Sequence, residues 1–270
     1  MSLGITPSDP LFFVFPYFFA IITKILFLKQ GKLMILRPLL ISLSMCGLLM
    51  SAPYEKMNAD SLMSGEGNAV YVNIPEIFYR IDKIYERSRS IPMNFDNEED
   101  QKLAHSDIVR LQNLLMTLDN QNYLESQSSN NRSAYLLRKA RLYVSKNNFG
   151  AGDAYNKADL FYNIAVSENI SDSKIHLEYA NYLASLGEMD HAKSEFQWAL
   201  DQGERKSLLG LAIIYSLEGY VNQAIEYLKQ FEKEYSSTTF TTALLAEISK
   251  EGNGNIDNKI FADPHYLNNF

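Results

Sequence analysis

The sequence predicts an all-α protein of stacked helical hairpins, and two observations support this prediction. Small and aromatic residues recur at a constant offset of 32 between the stretches 176–202 and 208–234. Further upstream, within 75–118, apolar residues follow helical spacing. Because a single helical hairpin cannot bury its own apolar side, such repetition predicts a helical-hairpin solenoid with more than two units.

Three interpretations fit the first 52 residues, where two apolar runs, 11–28 and 35–50, flank a basic stretch. Six of the fifteen Phe residues fall in the first run. If translation begins at Met34, the second run is a secretion signal. Alternatively, both runs are membrane segments joined by a cytoplasmic basic loop, or they form a buried hairpin of a cytosolic protein. The first two interpretations place the rest of the chain outside the cytoplasm.

The only cysteine, Cys46, lies in this region. The stretch 43–47 resembles a bacterial lipoprotein box, in which Cys46 would be lipidated. The other interpretation makes Cys46 an ordinary small apolar residue of a signal segment. A single cysteine excludes an intrachain disulfide and a zinc site built from several cysteines.

The remaining chain divides into four parts by composition. Residues 53–74 are polar and contain glycine, which predicts a linker. Residues 75–130 predict a helical pair, either a degenerate repeat or a cap, with Pro75 opening its first helix and its second helix running from Glu98 to Leu118. Residues 131–250 form the repeat domain, whose last helix is 239–250, and residues 251–270 are expected to be a flexible tail.

The repeat unit has a physical explanation. Small residues let the two helices of a hairpin approach closely, and glycine supplies the positive φ that ends the first helix. A third copy lies upstream, with a lengthened turn at 146–153 that costs little closure entropy. In the first copy the recurring residues are Ala180, Gly187, Ala192, Phe196 and Ala199; in the next they are Ala212, Gly219, Ala224, Leu228 and Phe231; in the upstream copy they are Ala140, Tyr143, Ala158, Tyr162 and Ala165.

This order of residues at a period near 34 resembles the tetratricopeptide repeat (TPR) family over roughly 133–236. Leu186 and Gly187 match the turn of the family pattern, whereas Glu204 and Ser236 stand where its closing proline is usual. The resemblance implies about three repeats plus flanking helices. It also implies a concave groove, lined by the first helices, that binds proteins.

By the family pattern, seven positions face this groove: Leu137, Arg141, Leu177, Asn181, Leu209, Ile213 and Ser216. Leu177, Leu209 and Ile213 would form an apolar strip that suits an extended segment or a helix of a partner. A competing interpretation packs some of these side chains between neighbouring units. The family's basic clamp for a terminal carboxylate is not expected, because leucines replace its first lysine and Gly210 replaces its arginine. Asn181 and Lys206 keep two of the clamp's residue types.

We expect no enzymatic activity, no cofactor and no metal site. The four histidines, His105, His176, His191 and His265, do not stand at metal-ligand spacing, and no phosphate-loop or nucleophile motif occurs. A hydrolase that uses His176 or His191 is a third hypothesis, after a scaffold and an intracellular adaptor. Residues 53–270 carry a net charge of −10, against +3 for residues 1–52, which argues against nucleic acid as the main partner.

The layout of export signal, short linker and about three repeats is similar to that of lipoproteins in tight-adherence (Tad) or type IV pilus assembly. This similarity implies an exported scaffold in the bacterial periplasm, tethered to a membrane through its N-terminus. The scaffold would assist assembly of a surface structure such as a pilus or a secretion system through a protein partner. The alternative is an intracellular, cytoplasmic TPR adaptor or regulator.

Overall fold

The computed structural model describes residues 53–66, 69–250 and 256–270, all of which belong to one unit, 52–270. The predictions for residues 1–52, including the start at Met34 and the lipidation of Cys46, lie outside the described residues. The described chain is all-α apart from one small β-hairpin, as the sequence predicted. Within this part of the chain, no helix is both long and apolar enough to cross a membrane.

Ten α-helices and two strands make up the regular structure of the described residues. The strands are β1 (Met63–Glu66) and β2 (Ala69–Val72), which pair antiparallel. The helices are α1 (Ile74–Ser88), α2 (Glu98–Asn120), α3 (Ser129–Asn148), α4 (Ala154–Glu168), α5 (Ser173–Leu186), α6 (Met189–Asp201), α7 (Ser207–Leu217), α8 (Val221–Tyr235), α9 (Thr239–Ile248) and α10 (Pro264–Leu267). Short 3₁₀ turns occupy Ala59–Ser61, Tyr123–Ser126 and Asn258–Ala262.

Three helical pairs form the body: α3 with α4, α5 with α6, and α7 with α8. The recurring small and aromatic residues of the sequence pattern pack inside these pairs. In the 176–202 copy, Ala180, Ala192, Phe196 and Ala199 are all fully buried, and their counterparts in the next copy are buried to the same extent. The pattern therefore marks the contacts between helices, because only small side chains let the helix backbones approach at these points.

The turn glycines end the first helices as predicted. Gly187 has a φ of +88°, and its N–H donates to Ala184 O at 3.0 Å while the next N–H donates to Leu183 O at 3.0 Å. Gly219 repeats this arrangement with a φ of +82°. This double hydrogen bond is the Schellman motif, in which a left-handed residue satisfies the last carbonyls of a helix.

Residues 53–62, part of the stretch 53–74 that the sequence predicts to be a linker, pack against the helices. Tyr54, Met57 and Leu62 are buried in a cluster with α1, α2 and one side of α3. The Asp107 carboxylate on α2 accepts hydrogen bonds from Tyr54 OH at 3.0 Å and from Met57 N–H at 3.2 Å. Because most residues of this stretch are polar, its composition did not reveal that these three apolar side chains are buried. The buried Asp107 carboxylate provides the acceptor that the Met57 N–H needs.

The prediction of a flexible tail over 251–270 is wrong for residues 256–270. This stretch, which we call the return segment, contains the 3₁₀ turn Asn258–Ala262 and helix α10. Phe261, Tyr266 and Leu267 are buried, and Tyr266 is completely inaccessible to solvent. The segment packs back onto α5 rather than extending from the body.

Candidate functional site

The candidate site is the side of the molecule formed by the first helices of the pairs, α3, α5 and α7, together with α1; we call it the first-helix face. The return segment lies on this face. Its Asn258 side chain donates to Ser185 O on α5 at 3.2 Å, and its Tyr266 hydroxyl donates to Asn181 Oδ1 on the same helix. The site therefore already holds a stretch of polypeptide.

Groups from other parts of the chain also hold the main chain of the return segment. Arg89 Nη2 donates to Leu267 O at 3.3 Å, and the Ile91 N–H donates to Ala262 O at 2.8 Å. Lys206 Nζ donates to a main-chain oxygen of Phe270 at 2.8 Å. Two of these donors lie at or just after the end of α1, and the third lies at the start of α7. The main chain of the segment is therefore bound by residues from two separate helix ends.

Aromatic rings fix the side chains of the segment. The rings of Phe261 and Tyr266 contact edge to face at 5.2 Å between centroids, and Phe270 lies 4.8 Å from Tyr266. Outside the segment, Phe261 lies 6.2 Å from Phe196 of α6, and Tyr266 lies 6.2 Å from Phe240 of α9. Pairs at these distances contribute beyond simple area burial, so the rings are the main anchors.

A cavity of about 560 Å³ remains beside Phe270 on the first-helix face. Both acidic and basic side chains line it, so it does not present a field of a single sign. Its lining is Asp82, Tyr85, Glu86, Arg89, Arg141, Lys174, Leu177, Glu178, Asn181, Glu204, Lys206 and Phe270.

A partly buried ionic network forms the floor of this cavity. Arg141 of α3 donates through Nη2 to Glu178 of α5 at 2.5 Å and through Nη1 to Asp82 of α1 at 2.6 Å. Tyr162 of α4 donates to the same Glu178 at 2.8 Å. The network joins four helices, which keeps α1, α3 and α5 in register beneath the return segment.

The pKa values in this network follow from burial and pairing. Burial alone would raise the pKa of Glu178, but the Arg141 guanidinium outweighs it and the pKa is lowered. Burial and then the Glu178 carboxylate raise the pKa of Tyr85 to about 12. Burial, again followed by Glu178, raises the pKa of Tyr162 well above its usual range. At neutral pH the two tyrosines are therefore neutral, and Glu178 is a carboxylate.

The lowered pKa of Glu178 links stability to pH. Because the folded state holds this carboxylate in its charged form more firmly than the unfolded chain does, its contribution is complete above the unfolded pKa of about 4.3. The contribution is lost as pH falls through the lower, folded pKa.

The predicted groove residues divide into two groups. Arg141, Leu177 and Asn181 do line the cavity, but the Arg141 guanidinium is engaged by Glu178 and Asp82. Asn181 is engaged by the Tyr266 hydroxyl. The expectation of an open apolar strip is wrong for Leu209 and Ile213, which are fully buried.

Leu137 is also nearly buried, with 8% of its surface exposed, whereas Ser216 is partly exposed. Leu137, Leu209 and Ile213 share one buried apolar cluster with Phe261, Tyr266 and Leu267 of the return segment. Leu209 and Ile213 of the predicted strip are thus interior, whereas Leu177 lines the cavity.

His176 and His105 both pack against aromatic rings. His176 is buried, stacks on Trp198 at 3.8 Å, and has one ring nitrogen 2.5 Å from the Glu195 carboxylate and the other 3.2 Å from Ile170 O. His105 stacks on Phe149 at 5.2 Å. In the described part of the chain, no three His, Cys, Asp or Glu side chains are grouped so that they could hold a metal ion.

Sequence reasoning missed Arg89, Glu178 and the return segment as parts of the site. A signal for the return segment was present in the sequence: Asp263 followed by Pro264 is a helix start, and large apolar residues surround it. Residues 251–270 were expected to form a flexible tail instead. Nothing local in the sequence marks Arg89 or Glu178, because their roles depend on which helices meet.

Comparison with known proteins adds no family. No protein-family model matches this chain, and no curated protein is significantly similar to it.

Proposed function

We propose that the chain is a non-enzymatic scaffold of the TPR type whose first-helix face binds a segment of a partner protein. The observation that carries this proposal is that the face already holds a peptide, the return segment, through aromatic anchors and main-chain hydrogen bonds. The burial of the recurring Ala and aromatic residues and the two Schellman turns support the TPR type. An arrangement of this kind selects a polypeptide by its shape and apolar side chains.

A photo-crosslinking amino acid at position 174 tests the binding face. Lys174 is exposed and lines the cavity, whereas Ser194 on α6 is exposed outside it and serves as the matched control. In cells, we expect position 174 to form a discrete adduct whose crosslinked residue falls in one contiguous partner segment, and a synthetic peptide of that segment should bind the purified chain. Equal crosslinking from both positions would contradict the proposal.

We also propose that this scaffold is exported, tethered to a membrane through residues 1–52, and assists assembly of a bacterial surface structure such as a pilus or a secretion system. The apolar runs and basic residues of that region support export. The layout supports the assembly role by resemblance alone.

The runner-up is an intracellular TPR adaptor. Residues 1–60 fused to a reporter that is active only outside the cytoplasm should give signal if the chain is exported, and a silent fusion would favour the adaptor. Mass spectrometry of the mature N-terminus would then distinguish a chain that begins at Met1, a lipidated Cys46 and a cleaved signal.

A further inference from the structure

We propose that the return segment occupies the site that a segment of the partner protein binds, and that the two segments resemble each other. On this view the partner binds through a segment with large apolar groups spaced like Phe261, Tyr266, Leu267 and Phe270, and it takes the place of residues 256–270. This inference rests on the proposed function, because it names the chemistry of the ligand for the same face.

Specificity in this site comes from the apolar groups. Phe261 and Tyr266 have 2% and 0% of their surfaces exposed, and both contact aromatic rings outside the segment, on α6 and α9. Tyr266 adds a hydroxyl that donates to Asn181. A competing segment must therefore supply an aromatic group with a hydroxyl, or a close equivalent, at the Tyr266 position.

The charged side chains of the segment contribute little to recognition, because they serve its own fold. Asp257 accepts from the Lys259 N–H at 2.8 Å, and Asp263 accepts from the His265 N–H at 2.7 Å. Each acidic residue thus caps the turn that follows it. A partner segment should carry a capping residue before its own helical turn, which would order it for binding.

The main-chain contacts make the site tolerant of sequence between the anchors. Arg89 and the Ile91 N–H donate to carbonyl oxygens of the segment, and any residue supplies a carbonyl at those points. His265 and Asn268, which lie between or beside the anchors, are exposed. Recognition therefore depends on the spacing of the apolar side chains and on the path of the backbone.

A labelled synthetic peptide of residues 256–270 tests the inference by fluorescence anisotropy with the full chain in mild detergent. The variant Tyr266→Ala/Leu267→Ala weakens the internal segment and should bind the peptide at least tenfold more tightly than the wild type does. The matched control His265→Ala/Asn268→Ala changes exposed positions of the same segment and should behave like the wild type. A peptide with alanine at both anchor positions should not bind.

The milder variant Leu267→Ala guards against loss of folding and should show an intermediate affinity. A folded variant, shown by helical circular dichroism and a cooperative melt, that binds no more peptide than the wild type would overturn the inference. Unfolding of both variants would also overturn it, since the segment would then be a fixed part of the core.

Failure of this test leaves the proposed function separately testable. If the peptide does not bind but position 174 still crosslinks to one partner segment, the face binds a partner of different chemistry and only this inference is lost. If neither is observed, the proposed function fails as well.

Discussion

Gly210 is the position where the packing of the hairpins can be tested most sharply. It lies in α7, and a Cβ built there would be 2.3 Å from Cζ of Phe196 and within 2.7 Å of two further ring atoms. Phe196 is fully buried and contacts Phe261 of the return segment, so the ring has no free space to enter. We expect Gly210→Ala to destabilise the fold.

The magnitude follows from two opposing terms. Overpacking a well-packed core costs about 1–3 kcal/mol, and contacts this short place the cost in the upper part of that range. Alanine regains about 1 kcal/mol over glycine inside a helix. The net loss should be about 1–2 kcal/mol in the free energy of unfolding, which corresponds to a fall in Tm of roughly 2–8 °C.

Urea unfolding of the full chain, followed by far-ultraviolet circular dichroism, measures this loss. Gly152→Ala is the matched control, because a Cβ at Gly152 meets nothing within 4 Å. Phe196→Leu should cost less in the Gly210→Ala background than in the wild type, since the two sites share one space. A Gly210→Ala chain as stable as the wild type, or strictly additive effects, would refute the reasoning.

Three further predictions concern the ionic network, the turns and the N-terminal stretch. Glu178→Gln should lose roughly 2–3 kcal/mol at neutral pH, because Arg141 then meets a neutral amide at position 178 and keeps only Asp82 as a carboxylate partner. The stability of this variant should fall less steeply than that of the wild type as pH drops below about 4. Gly187→Ala should lose about 1–2 kcal/mol, because its φ of +88° strains any residue with a Cβ. Asp107→Ala should lose about 2–4 kcal/mol and expose residues 53–58 to protease, because Tyr54 OH and the Met57 N–H lose their acceptor.

Each of the three substitutions is tested by a different measurement. Urea titrations across a pH series test Glu178→Gln, and a slope identical to that of the wild type would contradict the assigned carboxylate. Thermal melts compare Gly187→Ala with Gly152→Ala, and equal Tm values would argue against the strained turn. Limited proteolysis compares Asp107→Ala with the exposed neighbour Ser106→Ala, and identical cleavage patterns would indicate that residues 53–58 are held by something else.

The local features of this fold were readable from the sequence. Ala180, Phe196 and Gly187 each have a local physical role, so their recurrence predicted both the helical hairpins and their turns. The helix that begins near Pro75 and the helix that begins at Glu98 were also placed correctly. Asn73 and Asn97 cap these two helices by accepting from main-chain N–H groups three residues later.

The site was readable only in part, because it depends on contacts between distant parts of the chain. Arg141 was selected by the repeat pattern, but its partners Asp82 and Glu178 come from helices on either side of it in the sequence. Tyr266 meets Asn181 across 85 positions, and no periodicity records such a pairing. Burial of Leu209 and Ile213 likewise depends on tertiary packing that the sequence pattern does not contain.

Hydrogen exchange of the wild-type chain tests the central claim most directly, namely that the first-helix face is a peptide site occupied by the return segment. The chain would be measured by mass spectrometry with and without an excess of isotopically heavy peptide of residues 256–270. We predict faster exchange in the chain's own residues 258–270 when the peptide is present, with α5 still protected, because the added peptide takes their place. Unchanged protection of residues 258–270 at saturating peptide would contradict the account.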